Sequence, residues 1–199
     1  MKKGEKLGPR VTGSMAFTLR YLGDLENALL AAKDAEDAFR ATKSIQWINM
    51  GDLVASLLED MNRTLEALSE YEFIVHESPD NPWILNNYSY YLAVHGKELP
   101  RAEAMAKRSL QLDPNNGHTL DTLGFIQLKL GKVEDSINAM VHSWRLNPDE
   151  MVVRTHLAQS LAKRKDKSER MQDLLDVLRT EPDEENTKKI QQLLLAIGE

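Results

Sequence analysis

With 199 residues, 42% of them hydrophobic and 28% charged, the chain has the make-up of one folded domain or one short repeat array, and disorder is not expected. The 31 acidic side chains outnumber the 25 basic ones, and a net charge of −6 argues against nucleic acid or an anionic membrane as the main partner. The absence of cysteine removes disulfides, thiolate metal sites and a cysteine nucleophile. The basic opening MKKGEKLGPR is followed by no apolar stretch of signal-peptide length, and nowhere do eighteen apolar residues run together. Export by a visible signal and membrane insertion are therefore not expected, and the cytoplasm is the default location.

In chain order, residues 1–10 form a basic tail. A first helical pair over residues 9–42 shows Met15, Ala16, Leu19, Gly23, Ala28, Ala32 and Ala35 at helical spacing, and its second helix runs on without a closing proline. A second pair carries Val54, Ala55, Leu58, Ala67, Tyr71 and Pro79, with Asn62 where the first pair has Gly23. Asparagine is the next most tolerant residue of left-handed backbone, so it suits the same turn. The distance from Gly23 to Asn62 is 39 residues, which marks the first pair as lengthened and degenerate.

From there the period is regular. Pro79, Pro114, Pro148 and Pro182 are spaced by 35, 34 and 34 residues, and each follows a stretch of helical pattern that it brings to an end. The third pair places Leu85, Tyr88, Ser89, Leu92, Gly96, Ala102, Ala106 and Ser109 in register, with a turn one residue longer and Leu99 filling the gap before Ala102. The fourth, residues 115–150, has Leu120, Leu123, Gly124, Leu128, Gly131, Ser136 and Met140; the fifth keeps Leu157, Ala158, Leu161 and Leu174 but has Lys165 in place of the turn glycine. After Pro182, residues 183–199 open with Asp183, Glu184 and Glu185 and then carry Ile190, Leu193, Leu194 and Ile197 on one stripe, as an amphipathic capping helix would.

The unit NNGHTLDTLGFIQLKLGKVEDSINAMVHSWRLNPDE closely resembles the tetratricopeptide repeat, and the neighbouring units follow it with the departures just given. The resemblance implies an all-α fold: a right-handed α-solenoid of antiparallel helix pairs with about eleven helices, about five repeats over residues 11–182, and the closing helix. Small residues at Ala55, Ser89, Gly124 and Ala158 on first helices, and at Ala67, Ala102 and Ser136 on second helices, let the helices sit close. No pair buries its apolar faces alone, so the pairs stack, and the array is expected to form one continuous curved rod with a concave face lined by first helices.

Chemistry is scarce. No two of the five histidines lie four apart on one helix, and no phosphate loop, serine elbow or calcium loop appears, so no catalytic residue, metal or cofactor is expected. Glu66, Glu70, Glu72 and Glu77 read as a solvated outer face, and KRKDKSER at residues 163–170 as a solvated turn that lacks the aromatics of a nucleic-acid site. The inward positions are Trp83, Asn86, Asn87 and Tyr90 in the third pair, His118, Asp121, Thr122 and Phe125 in the fourth, and Val152, Thr155, His156 and Gln159 in the fifth. Amides that donate and accept together, set among aromatic rings, suit the backbone of an extended peptide, so Trp83, Asn86, Asn87, Tyr90, His118, Asp121, Thr122, Phe125, His156 and Gln159 are the expected groove. The lysine, asparagine and arginine clamp by which some members hold acidic chaperone tails is matched only at Asn87: Asp52, Ser56, His118 and Thr122 occupy its other positions. A non-enzymatic adaptor for a protein or extended peptide is the leading reading, and self-assembly through repeat edges or groove is the alternative.

Overall fold

The computed structural model describes residues 7–164 together with residues 175, 176, 178, 188–190 and 192. Nine helices and no strand occur among the described residues: α1 (Pro9–Tyr21), α2 (Leu25–Ala41), α3 (Gln46–Asp60), α4 (Thr64–Glu77), α5 (Pro82–Val94), α6 (Leu99–Leu112), α7 (Gly117–Lys129), α8 (Val133–Leu146) and α9 (Met151–Lys163). The predicted second helix of the fifth pair and the closing helix fall almost wholly outside the described residues, as do Lys165 and Pro182.

The turns explain the order. After α1, α3 and α7 the chain reverses through three residues centred on Gly23, Asn62 and Gly131, whose φ values are 80, 59 and 75°. In each, the central N–H bonds back to Arg20, Glu59 or Leu128, and the next N–H reaches one residue further, to Leu19, Leu58 or Gln127. This pairing satisfies carbonyls that the helix end leaves open. The longer turn after α5 uses Gly96 at φ 63° and takes up its additional residue by placing Glu98 in the left-handed region at φ 43°. The lengthening of the first pair lies in α2, which has 17 residues where α4, α6 and α8 have 14. Without a proline beyond it, α2 closes with the same two bonds around Lys43, which is held at φ 53°. The prolines stand two residues past the ends of α4, α6 and α8, where no helical N–H is required of them.

Contacts divide the chain into two compact units, residues 1–84 and 85–199, with the division inside α5. In the first unit α1 packs on α2, α2 on α3 and α3 on α4. Its core is Ala16, Ala28, Ala32, Ala35, Ile48, Val54, Leu57, Leu58 and Ile74, all nearly without solvent contact. In the second unit α7 packs on α6, α8 and α9. Here the core joins Ile137, Met140, Val141 and Trp144 to Val153, Leu157 and Leu161, with Leu175, Leu178 and Ile190 added from beyond α9. Seven small residues mark the interhelical seams: Ala55, Ala67, Ser89, Ala102, Gly124, Ser136 and Ala158 are all buried.

On α2 and α4 of the first unit, Glu36 and Glu70 line one 250 Å³ pocket with Lys33, Asp37, Arg40 and Phe73. Glu36 is 6% exposed. Its pKa is raised to about 7, chiefly by burial and next by the charge of Glu70, against the lowering influence of Arg40. Burial also raises Glu70. The folded chain therefore keeps the Glu36 proton between about pH 4.5 and 7, where an unfolded chain has released it. The stability that this group contributes is full below that window and declines as pH rises through it.

Two outcomes are expected. Lys43→Gly removes a side chain from left-handed backbone and should raise the unfolding free energy by about 0.5–1 kcal/mol in urea titrations. Glu36→Gln removes the titrating group, so the variant should gain about 1–3 kcal/mol relative to the parent between pH 5 and pH 8.

Candidate functional site

The first helices of the second unit carry a row of rings. Tyr90 on α5 and Phe125 on α7 stand at equivalent repeat positions, and their ring centroids are 5.9 Å apart. Phe125 in turn stacks on the imidazole of His156 from α9, at 5.0 Å with planes 25° apart. Three successive first helices thus contribute one ring each. The Lys129 ammonium lies 4.9 Å from the Phe125 centroid, one helical turn further along α7.

Beneath the row, both carboxylate oxygens of Asp121 lie within 3.0 Å of His156 Nδ1. An ionised carboxylate only accepts, so Nδ1–H donates and the imidazole is fixed in orientation. Both residues are buried, as is Thr122. The α9 backbone is tied to α8 at the same level: Ser136 Oγ donates to the Gly124 carbonyl at 2.8 Å, and the Ser160 hydroxyl, 2.8 Å from Ser136 Oγ and 3.0 Å from the His156 carbonyl, donates to one of the two. The ring row therefore stands on a polar network that fixes α7, α8 and α9.

The predicted groove residues divide by environment. Tyr90, His118 and Gln159 are exposed, Asn86, Asn87 and Phe125 are half-buried, and Asp121, Thr122 and His156 form the floor. Asn86 Nδ2 donates to Asn87 Oδ1 at 3.2 Å, and His118 Nδ1 lies 3.6 Å from a Glu150 carboxylate oxygen. Trp83, in the first turn of α5, is counted with the first unit and lines a pocket there with Phe17 and Arg20 of α1 and with Asn49, Asp52, Leu53 and Ser56 of α3. Sequence reasoning did not single out Lys129, Phe17 or Arg20. Phe17 and Arg20 belong to the degenerate first pair, whose register the proline period does not fix.

Among the described residues, no group of three or more His, Asp or Glu side chains is placed to hold a metal ion, and no helix is long and apolar enough to cross a membrane. The helices paired through tight turns make a tandem helical-repeat fold. No family profile matches the chain. A TPR repeat-containing protein of Pseudomonas aeruginosa is 26% identical over 103 residues, a stretch that covers 52% of this chain and 17% of that relative's length. Among solved structures, a tetratricopeptide repeat protein from Parabacteroides merdae superposes with a TM-score of 0.71 at 16% identity, covering 98% of this chain and 75% of that one. PilF of Pseudomonas aeruginosa superposes with a TM-score of 0.67 at 17% identity, covering 95% and 90%. The fold is that of the tetratricopeptide repeat structures it superposes on.

Asp121→Ala leaves a buried imidazole N–H without its acceptor and should cost about 1–3 kcal/mol in denaturant unfolding. In the same variant the ring of Phe125 should lose the ring-current shift that a fixed His156 imposes, which methyl and aromatic NMR spectra would register.

Proposed function

We propose that the chain is a non-enzymatic scaffold that holds an extended segment of a partner protein on the first-helix face of α5, α7 and α9. The observation that carries this reading is the contiguous row Tyr90–Phe125–His156, one ring from each of three successive first helices. Tyr90 is 41% exposed and offers apolar area with a hydroxyl rim, which is the residue type that dominates contact energies. Around it, the Asn87 and Gln159 amides and the His118 imidazole supply groups that pair with a peptide backbone, and Asn86 supports Asn87. Asp121 acts from below by fixing His156, on which the Phe125 ring stacks. The face carries no array of lysines and arginines for an acidic tail, and the overall charge of −6 opposes nucleic acid.

A second reading, self-association, is favoured by a separate observation on the first unit. Val11 and Met15 are exposed on α1, Leu7 and Leu22 just beyond its two ends, and Leu30 on α2. An apolar stripe of that length on one helix is costly to leave in water and is the type of edge through which stacked repeats associate. Sedimentation equilibrium separates the readings: a single species of monomer mass at every concentration removes self-association.

For the scaffold reading, peptides selected from a random displayed library against the whole chain provide the ligand, and calorimetric titration provides the affinity. Tyr90→Ala is expected to weaken binding by about 1–3 kcal/mol. Gln159→Ala, at an exposed position, should weaken it by roughly 0.5–1.5 kcal/mol with the thermal midpoint unchanged. Affinity unmoved in both variants would sink the proposal.

A further inference from the structure

A first helix packs on the second helix that precedes it, α3 on α2 and α7 on α6. Counted back from the turn residues Asn62 and Gly131, the positions twelve, eight and five residues earlier are Met50, Val54 and Leu57 on α3 and Thr119, Leu123 and Ile126 on α7. All six are buried. Counted back from Gly23, the same positions on α1 are Val11, Met15 and Thr18. Val11 is 54% exposed and Met15 42%, and Thr18 is exposed with them. Thus α1 presents to solvent the stripe that its counterparts hide, because no helix among the described residues stands before it.

Leu7 and Leu22, both exposed, extend the stripe past the two ends of α1, so that positions 7, 11, 15, 18 and 22 follow at steps of four, four, three and four. Steps of four and three keep residues on one narrow seam, the kind that a single facing helix covers. None of the five residues is charged. A partner that brought charge to the seam would lose hydration and gain no counter-charge there. The facing helix is therefore itself a narrow, uncharged seam.

The stripe of α1 meets that description of its own partner. Turned end for end it falls on itself: Leu7 faces the partner's Leu22, Val11 faces the partner's Thr18, and Met15 adjoins the partner's Met15 at the centre. A twofold axis through the middle of α1 produces this register and closes the assembly at two copies, since both stripes are then used. The flanks agree with it. Leu7, Pro9, Thr12 and Met15 together with Asp34 and Asp37 of α2 line an open groove of about 520 Å³ beside the N-terminal half of the stripe. In an end-for-end pair that groove lies opposite the C-terminal half of the partner's α1, where Leu22, 70% exposed, supplies an apolar side chain to it. The same reversal keeps the aspartates of the two copies at opposite ends of the seam, whereas a parallel pair would set them together.

We propose that a second copy of the chain covers the outer stripe of α1, through an antiparallel α1 pair about a twofold axis. This rests on the self-association reading and adds to it the surface, the symmetry and the number of copies. One helix pair falls short of the roughly 1,200 Å² that stable complexes bury, so dissociation in the micromolar range or weaker is expected.

Sedimentation equilibrium of the full chain from micromolar to millimolar concentration should show monomer and dimer alone. Val11→Glu, at an exposed position, sets a carboxylate in the seam and should weaken the dimer at least about tenfold while leaving the thermal midpoint of dilute protein unchanged. The chain has no cysteine, so Met15→Cys carries a single thiol. The twofold axis puts position 15 beside itself, and mild oxidation should link this variant into covalent dimers at least about tenfold faster than Ser69→Cys, at an exposed position on α4. A dimer unmoved by Val11→Glu, equal oxidation rates at the two sites, or species that grow past the dimer overturn the α1 pair and leave self-association to another surface. A single monomeric species at every concentration overturns the pair and the self-association reading together, and leaves the stripe to a helix of another protein.

Discussion

At Gly124 a side-chain methyl would stand 2.9 Å from both Cγ and Cε of Met140, closer than real carbon contacts allow. The same closeness recurs at Gly51, where a methyl would meet Ile74 at 2.9 Å. These are the points where a first helix and its second helix approach until backbone takes the place of side chain. A helix pair with 13 and 14 residues in its arms has too little apolar surface to bury by itself, so close approach within pairs and stacking between them are needed together. Gly124 also exposes its carbonyl to Ser136, which converts the tight crossing into a buried hydrogen bond. A residue larger than glycine would thus lose packing and, through displacement of α8, the serine network below His156.

Much of this was legible in the sequence because backbone requirements leave few residue choices. Only glycine or asparagine is comfortable at positive φ, so Gly23, Asn62 and Gly131 announced their turns, and the prolines announced the helix ends. Lys43 and Glu98 were not legible in the same way. They adopt left-handed backbone with ordinary side chains because the helices on either side dictate the path of the chain, and composition carries no trace of that. The lengthening of the first pair was visible as a spacing, and its location in α2 follows from the missing proline.

The site was legible to a lesser depth. A 35-residue step from Tyr90 to Phe125 places two rings at one repeat position, and the structure brings them together. The repeat pattern gives the face a residue is on, but the depth depends on how closely the next helix approaches. Asp121, Thr122 and His156 share the inward face with Tyr90 and Gln159 and yet are buried, and Asp121 on α7 and His156 on α9 meet each other there. Trp83 shows the converse: it opens α5, where it lines a pocket with α3 side chains and with α1 side chains from the pair that the period describes least well.

Charge on the inner surfaces is handled by pairing before any ligand arrives. Arg20 is held by Asp60 and Ser56, His156 by Asp121, and Glu103 by Lys132 and Lys107, with the Lys132 hydrogen bond the main reason the Glu103 carboxyl stays below its usual pKa. Each pair joins residues of different helices or turns, apart from Lys107 with Glu103 on α6. On the proposed binding face the rings of Tyr90 and Phe125 stand beside these pairs. The rings gain definition from the pairs beneath them, because Phe125 can present a fixed edge only while His156 cannot turn, and His156 cannot turn while both Asp121 oxygens hold its Nδ1–H. On the proposed binding face, contact area comes from the exposed ring of Tyr90 and shape from the hydrogen-bonded floor of Asp121 and His156.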